Sequence, residues 1–325
     1  MPTYPAHFLP NWSEDIRDDA LFHYTTAAGL AGIFDKRAIW STAYYCANDE
    51  QELAAGKGVL TGIFRQETFE LEKKKDKRIR TFLGRGVDPL EYADKFENSV
   101  TSMALNALCA YITCFCRPTT KEDFHHGLLS QWRGYGLDGG YALQFSRKKL
   151  QAALQPESLY TYELKDVHYS PDNELKVKLL GFKSSFIGAF HQHLDQLAAP
   201  LDSSMRSWQS PLPKLLGGPL ESLLDYLVYT KNQHFAEEKE CRMCAIQPTS
   251  SENAQLPVCY FNRSGLLVPY ISTPPKDLDL LDCVEWIIIG PGPRIEARFK
   301  SINQLIRQSG KDIQVRVSHI PYTRL

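Results

Sequence analysis

The chain has almost no surplus charge of either sign: 37 Lys and Arg stand against 38 Asp and Glu. No global basic field therefore draws it onto phosphate backbones, and nucleic acid is a minor expectation. It also lacks the run of about eighteen apolar residues that a spanning helix needs, so no membrane partner is expected. Residues 1–10 carry no basic segment followed by an apolar stretch, and the chain is expected in the cytoplasm. No Gly-x-Ser-x-Gly elbow occurs, which removes a Ser-nucleophile hydrolase of that type. Gly84-Arg85-Gly86 and Gly290-Pro291-Gly292 lack a following Lys-Ser/Thr or the helix context of a phosphate loop, which removes kinase and dehydrogenase readings.

Eight cysteines are present, at 46, 109, 114, 116, 241, 244, 259 and 283. Their scatter through apolar segments reads as buried free thiols. Cys241-Arg242-Met243-Cys244 has CxxC spacing without a second pair, and on a strand residues three apart face opposite ways, so no metal is expected. His125-His126 and His191-Gln192-His193 read as surface histidines.

With 43% hydrophobic residues over 325 positions the chain can bury a large core, as one elaborated domain or two closely packed ones. Leu21 to Thr26 reads as a strand, with Thr25 or Thr26 capping a helix that carries Leu30, Ile33 and Phe34. A second short strand falls on 38–42, and a turn at Ala47-Asn48-Asp49-Glu50. Residues 58–107 turn helical and charged, and the Glu70 to Arg78 run, with mixed signs, reads as a solvated face. Strands follow at 110–116 and 140–146, with a loop Leu129 to Gly136 between them. A strand near 158–169, a helical insert at about 173–231 broken by Pro and Gly at 211–219, and strands at 241–246, 266–271 and 284–289 come next. Gly290-Pro291-Gly292-Pro293 ends the last of these. A helix from Glu296 to Gln308 and a strand from 313 to 318 close a strand-helix-strand extension over about 256–325. Strands at both ends with helices between them imply an α+β class.

Three polar clusters sit beside expected strands: His23-Tyr24-Thr25; Ser130, Trp132 and Tyr135; and Glu238, Glu240 and Arg242. On an extended segment the last three share one face. These clusters, with Trp40-Ser41, Asn48-Asp49 plus Glu52, and Ile112 to Phe115, resemble in order and type a bacterial family known only as domain of unknown function 2971. The resemblance spans about 20–247.

More remotely, a His-led first strand and a late Glu-x-Glu strand are similar to the ADP-ribosyltransferase superfamily, although no Ser-Thr-Ser triplet is present. That resemblance implies a split β-sheet core with helical insertions, NAD as substrate and no metal. It implies cleavage of the nicotinamide–ribose bond with transfer to an unknown macromolecular acceptor or to water, as in a bacterial toxin or phage-defence effector. Such cleavage builds positive charge at the ribose, which a carboxylate stabilises. Under the resemblance Glu240 takes that role and Glu238 orients or deprotonates the acceptor. His23 and Tyr24, with Thr25, Ser41 and Ser130, hold the dinucleotide, and Trp132 or Tyr135 stacks on nicotinamide. Arg242 binds pyrophosphate or neutralises the carboxylates, with Arg133 a further phosphate ligand. The alternatives are a non-catalytic module that senses a nucleotide or partner, and nucleic-acid binding near Lys73 to Arg80.

Overall fold

The computed structural model describes residues 18–46, 51–107, 110–136, 139–154, 161–169, 174–198, 216–246, 258–274 and 278–321. Two compact units emerge, one from residues 1–46, 111–167 and 235–325 and the other from 47–110 and 168–234. The expected turn at Asn48-Asp49 and the side chain of Glu52 lie outside the described residues. Among those described, no helix is long and apolar enough to cross a membrane.

The second unit is helical, with α2 (Gln51–Lys73), α3 (Lys77–Gly84), α4 (Pro89–Ala107), α8 (Glu174–Gly181), α9 (Lys183–Ala198) and α10 (Gly217–Tyr229). Its packing is aromatic. Phe64 meets Phe96 at 5.0 Å and Phe190 at 5.3 Å between ring centroids.

The first unit is one mixed, open sheet with helices against it. Its strands are β1 (Ala20–Thr25), β2 (Ile39–Ala43), β3 (Tyr111–Cys116), β4 (Tyr141–Ser146), β5 (Thr161–Asp166), β6 (Glu240–Ile246), β7 (Cys259–Arg263), β8 (Leu266–Thr273), β9 (Val284–Ile289) and β10 (Gln314–Val317). The order is β10-β9-β4-β1-β3-β2-β8-β7, with β6 on β3 and β5 on β6. The helices of this unit are α1 (Ala27–Lys36), α5 (Lys121–His126), α6 (Leu129–Tyr135), α7 (Arg147–Ala153) and α11 (Ile295–Ser309).

Register decides which side chains share a face, since residues directly opposite in a ladder point the same way. Leu21, Phe115, Leu143, Cys241, Met243 and Ile287 form one face, buried under Leu30, Ile33 and Phe34 of α1 and Ile302 and Ile306 of α11. The other face carries Phe22, Tyr24, Ala142 and Ile288 beneath Phe124, Leu128 and Trp132 of the α5–α6 segment. Removing such apolar side chains from water stabilises each by about 1.5–3 kcal/mol.

β3 shares one edge between two partners. It pairs β1 only at Phe22–Cys116 and β2 only at Thr42–Ile112 and Ala43–Tyr111, so the sheet forks beside Thr113–Phe115. The fork is closed by side chains: His23 Nδ1 donates to the Cys114 carbonyl at 3.0 Å, and Ser41 Oγ bonds Thr113 Oγ1 at 2.7 Å and Thr273 Oγ1 at 3.0 Å.

Candidate functional site

β1 and β9 both run antiparallel to β4 and are therefore parallel to each other. Their carboxyl ends lie in one row, Thr25–Tyr141–Ile289–Val317, read directly from the register. From that row the chain leaves β1 through α1 toward β2, and leaves β9 through α11 toward β10, which lies on the opposite side of β4. In doubly wound parallel sheets ligands sit outside the carboxyl ends of strands at such a reversal; here the reversal is similar, but antiparallel β4 lies between the two strands and α1 and α11 cover the same face.

The loops at this edge approach closely. A Cβ on Gly140 would lie 2.7 Å from the Tyr135 carbonyl oxygen and 3.2 Å from that of Thr25, so the backbones of β1, α6 and β4 meet there only because Gly140 has no side chain. Arg298 of α11 pins the same loops. It donates from Nη1 to Gly290 O at 2.9 Å and from Nη2 to the carbonyls of Gly140, at 2.6 Å, and Gly139. Its guanidinium lies 4.7 Å from the Tyr141 ring centroid.

Two helix N-termini open at this edge, and each presents amide donors and the positive end of a peptide dipole. Thr26 caps α1 by accepting from Gly29 N at 3.2 Å. α11 has no side-chain cap: its first turn follows Arg294 in the left-handed region, φ 57°. Arg133 and Arg294 are exposed beside these loops, as is Tyr135 at 44%. Gly290-Pro291-Gly292 therefore does open a helix, against the sequence expectation. The signal for this in the sequence is the closing helix itself, which begins a few residues after the loop.

The structure brings the first two sequence clusters together and leaves the third apart. Tyr24 and Trp132 pack edge to face at 4.8 Å, and Leu128 N donates to the Tyr24 hydroxyl at 2.7 Å. Ser130, Trp132 and Tyr135 lie on α6, not on a loop as expected. A residue four on from Leu128 returns to the same face of a helix, and this drives Trp132 into the core. Trp132 is fully buried, its indole N–H bound to His126 O at 2.8 Å. A Cβ on Gly290 would stand 2.6 Å from its ring. No face of the indole is left for a nicotinamide, so of the two aromatic candidates only Tyr135 is exposed. Ser41 is likewise fully buried in its hydroxyl network. Thr25 ends β1 at this edge, half-buried.

His23 holds the fork. A carbonyl only accepts, so Nδ1 carries the proton, and burial keeps the imidazole below its ordinary value. Tyr24 lies on the opposite face, and burial pushes its phenol well above the usual range.

The Glu-x-Glu-x-Arg reading needs correction. Glu238 is not on the strand: it ends a 3-10 helix, Gln233–Glu238, and Lys239 at φ 49° breaks the path before β6 begins at Glu240. Glu240 and Arg242 do share a face. Arg242 donates from Nε to Glu240 Oε1 at 2.8 Å and from Nη2 to Oε2 at 3.0 Å, with side chains only 3% and 4% exposed.

That face is the wrong one for the expected cleft. Phe22 pairs Cys116, and Cys116 pairs Glu240, so Glu240 points with Phe22, whereas His23, one residue on, points to the other side. An imidazole and a carboxylate on opposite faces of a sheet cannot clasp one dinucleotide.

Two smaller expectations also fare differently. His125 and His126, expected at the surface, end α5 and are 2% and 9% exposed. The described cysteines are free thiols, five of them buried, with Cys114 and Cys259 exposed; Cys109 lies outside the described residues.

No curated protein and no solved structure matches the chain. Residues 131–243, from the buried Trp of α6 through the ion pair on β6, match the family model described as Protein of unknown function (DUF2971), so this stretch is similar to that family.

Proposed function

We propose that the first unit is a nucleotide-binding module which holds a phosphate-bearing ligand at the carboxyl ends of β1 and β9, with NAD as the leading ligand. The observation that carries this reading is the pair of parallel strands whose chains leave toward opposite sides of β4, β1 directly into α1 and β9 into α11 after the Gly290–Arg294 loop. Arg133 and Arg294 supply exposed positive charge, and Tyr135 an exposed ring on which a base or nicotinamide can stack. The fork at β3 supports the ADP-ribosyltransferase resemblance at the level of a split sheet. Binding without cleavage is favoured because Glu240, the residue that the chemistry requires to be open to a ribose, is enclosed and clasped by Arg242.

Isothermal titration of the full chain with NAD and with ADP-ribose tests the reading. Both ligands bind, no nicotinamide is released, and Arg294→Glu weakens both about tenfold, or roughly 1.4 kcal/mol. Nicotinamide release that disappears in a folded Glu240→Gln variant overturns it in favour of cleavage.

A further inference from the structure

On the face opposite α1 and α11, the six-residue helix α5 covers an unusual group of side chains. Gln144 of β4 is fully buried, and neither its amide oxygen nor its amide nitrogen has a hydrogen-bond partner among the described residues. Its register neighbours are Phe22 and Trp286. Arg316 of β10 is 6% exposed and lies 3.8 Å over the Trp286 ring and 5.0 Å from that of Phe124 in α5. Its Nη1 donates to Phe124 O at 3.1 Å and lies 3.4 Å from His125 Nδ1. His126 ends α5 and accepts from His319 N at 3.2 Å through Nδ1. The guanidinium of Arg316 and the imidazole of His319 thus crowd against the two imidazoles that end this short helix.

This cover is bonded to α6, which ends at the edge where the proposed function places the ligand crevice. The His126 carbonyl holds the indole of Trp132, and two residues on, Leu128 N is bound by Tyr24. Both anchor α6, which presents Tyr135 and Arg133 at the edge. On the other side, Asp123 of α5 closes a capping box with Thr120 and accepts from Lys239 Nζ at 2.7 Å.

We infer that α5 is a proton-released cover: uptake of a proton at His126 opens it, hydrates Gln144 and lets go of Trp132, so that α6 leaves the crevice and ligand affinity falls. The affinity part rests on the crevice being the ligand site; the opening does not. The charged and titratable groups around His126 are Arg316, His125 and His319, which oppose its protonation, and Glu122, which favours it. Burial contributes most, and together these hold the imidazole at about 4 against an ordinary 6.5. Such a group binds fewer protons closed than open. The closed state is therefore at full strength above pH 6.5 and weakens steadily as pH falls toward 4. From the same two values, the open-to-closed ratio rises about thirtyfold between pH 7.5 and pH 5. Gln144 adds to the bias, since opening satisfies two polar atoms that the closed state leaves unmet.

The test is hydrogen exchange across residues 121–135 of the full chain, corrected for the intrinsic pH dependence of exchange, together with NAD titrations at pH 7.5 and pH 5. In the wild type, opening rises about thirtyfold at pH 5. His126→Asn keeps an acceptor near the Nδ1 position for His319 N–H but cannot titrate, and its rise is a few-fold at most. Gln144→Leu, which removes the orphan amide, moves the transition to lower pH. A flat wild-type profile, an equal rise in His126→Asn, or an unmoved transition in Gln144→Leu overturns the proposal. If the segment opens as expected while NAD binds equally well at both pH values, the cover stands but is not coupled to the crevice. If NAD binds at neither pH, the crevice reading fails on its own.

Discussion

Replacing Arg242 by Met takes two donors from a carboxylate that is 4% exposed. Two bonds of 2.8 and 3.0 Å disappear, and the site offers little water to replace them. Breaking one side of a buried pair in this way destabilises by about 3–5 kcal/mol, because the remaining charge stays desolvated. For a unit of this size that is a loss on the order of 10 °C in melting temperature. Glu240→Gln does harm of the same kind from the other side. The double variant Glu240→Gln with Arg242→Met recovers most of the loss, since replacing both partners by groups of similar shape is close to neutral. Calorimetric melting of the four proteins gives the coupling directly. Additive losses, or a Glu240→Gln protein as stable as the wild type, refute the assignment of this pair as a structural clasp and return Glu240 to the candidates for chemistry.

Other expectations follow from single contacts. Tyr24→Phe leaves the Leu128 N–H, buried under Trp132, without its acceptor at 2.7 Å, and urea unfolding records a loss of about 1–3 kcal/mol. Gly290→Ala forces a methyl to 2.6 Å from the Trp132 ring, and overpacking of this kind lowers stability by about 1–3 kcal/mol in the same assay. Arg298→Lys keeps the charge but loses the fork that reaches Gly139, Gly140 and Gly290 together, and titration shows NAD affinity falling about tenfold with the fold retained by circular dichroism. In native protein, timed alkylation read by mass spectrometry labels Cys114 and Cys259 ahead of Cys241 and Cys283, whose thiols burial pushes up to about 12 and about 11.

How far the sequence could be read depended on whether the deciding interaction was local. β1, β4 and β9 announce themselves as apolar runs, and Thr26 was a candidate cap for α1 before its bond to Gly29 N was seen. α5 is not legible: two histidines and a charged first turn give six residues no apolar stripe, and Phe124 is the one apolar side chain among them. Lys239 breaks the strand before Glu240 through its backbone conformation, which nothing in Glu-Glu-Lys-Glu signals. The expected cleft failed for a more general reason. Alternation gives the face within one strand, as it did for Glu240 and Arg242, but the relation of His23 to Glu240 depends on the register of two ladders through β3. The row of Thr25, Tyr141, Ile289 and Val317 is not legible in the sequence because it is set by pairings that no short window contains.

The most direct measurement is hydrogen exchange of the full chain with and without saturating NAD. Binding at the carboxyl ends of β1 and β9 predicts protection in peptides covering 24–30, 133–140 and 290–298, and none in 238–244. Protection confined to the segment around Glu240 and Arg242 contradicts it.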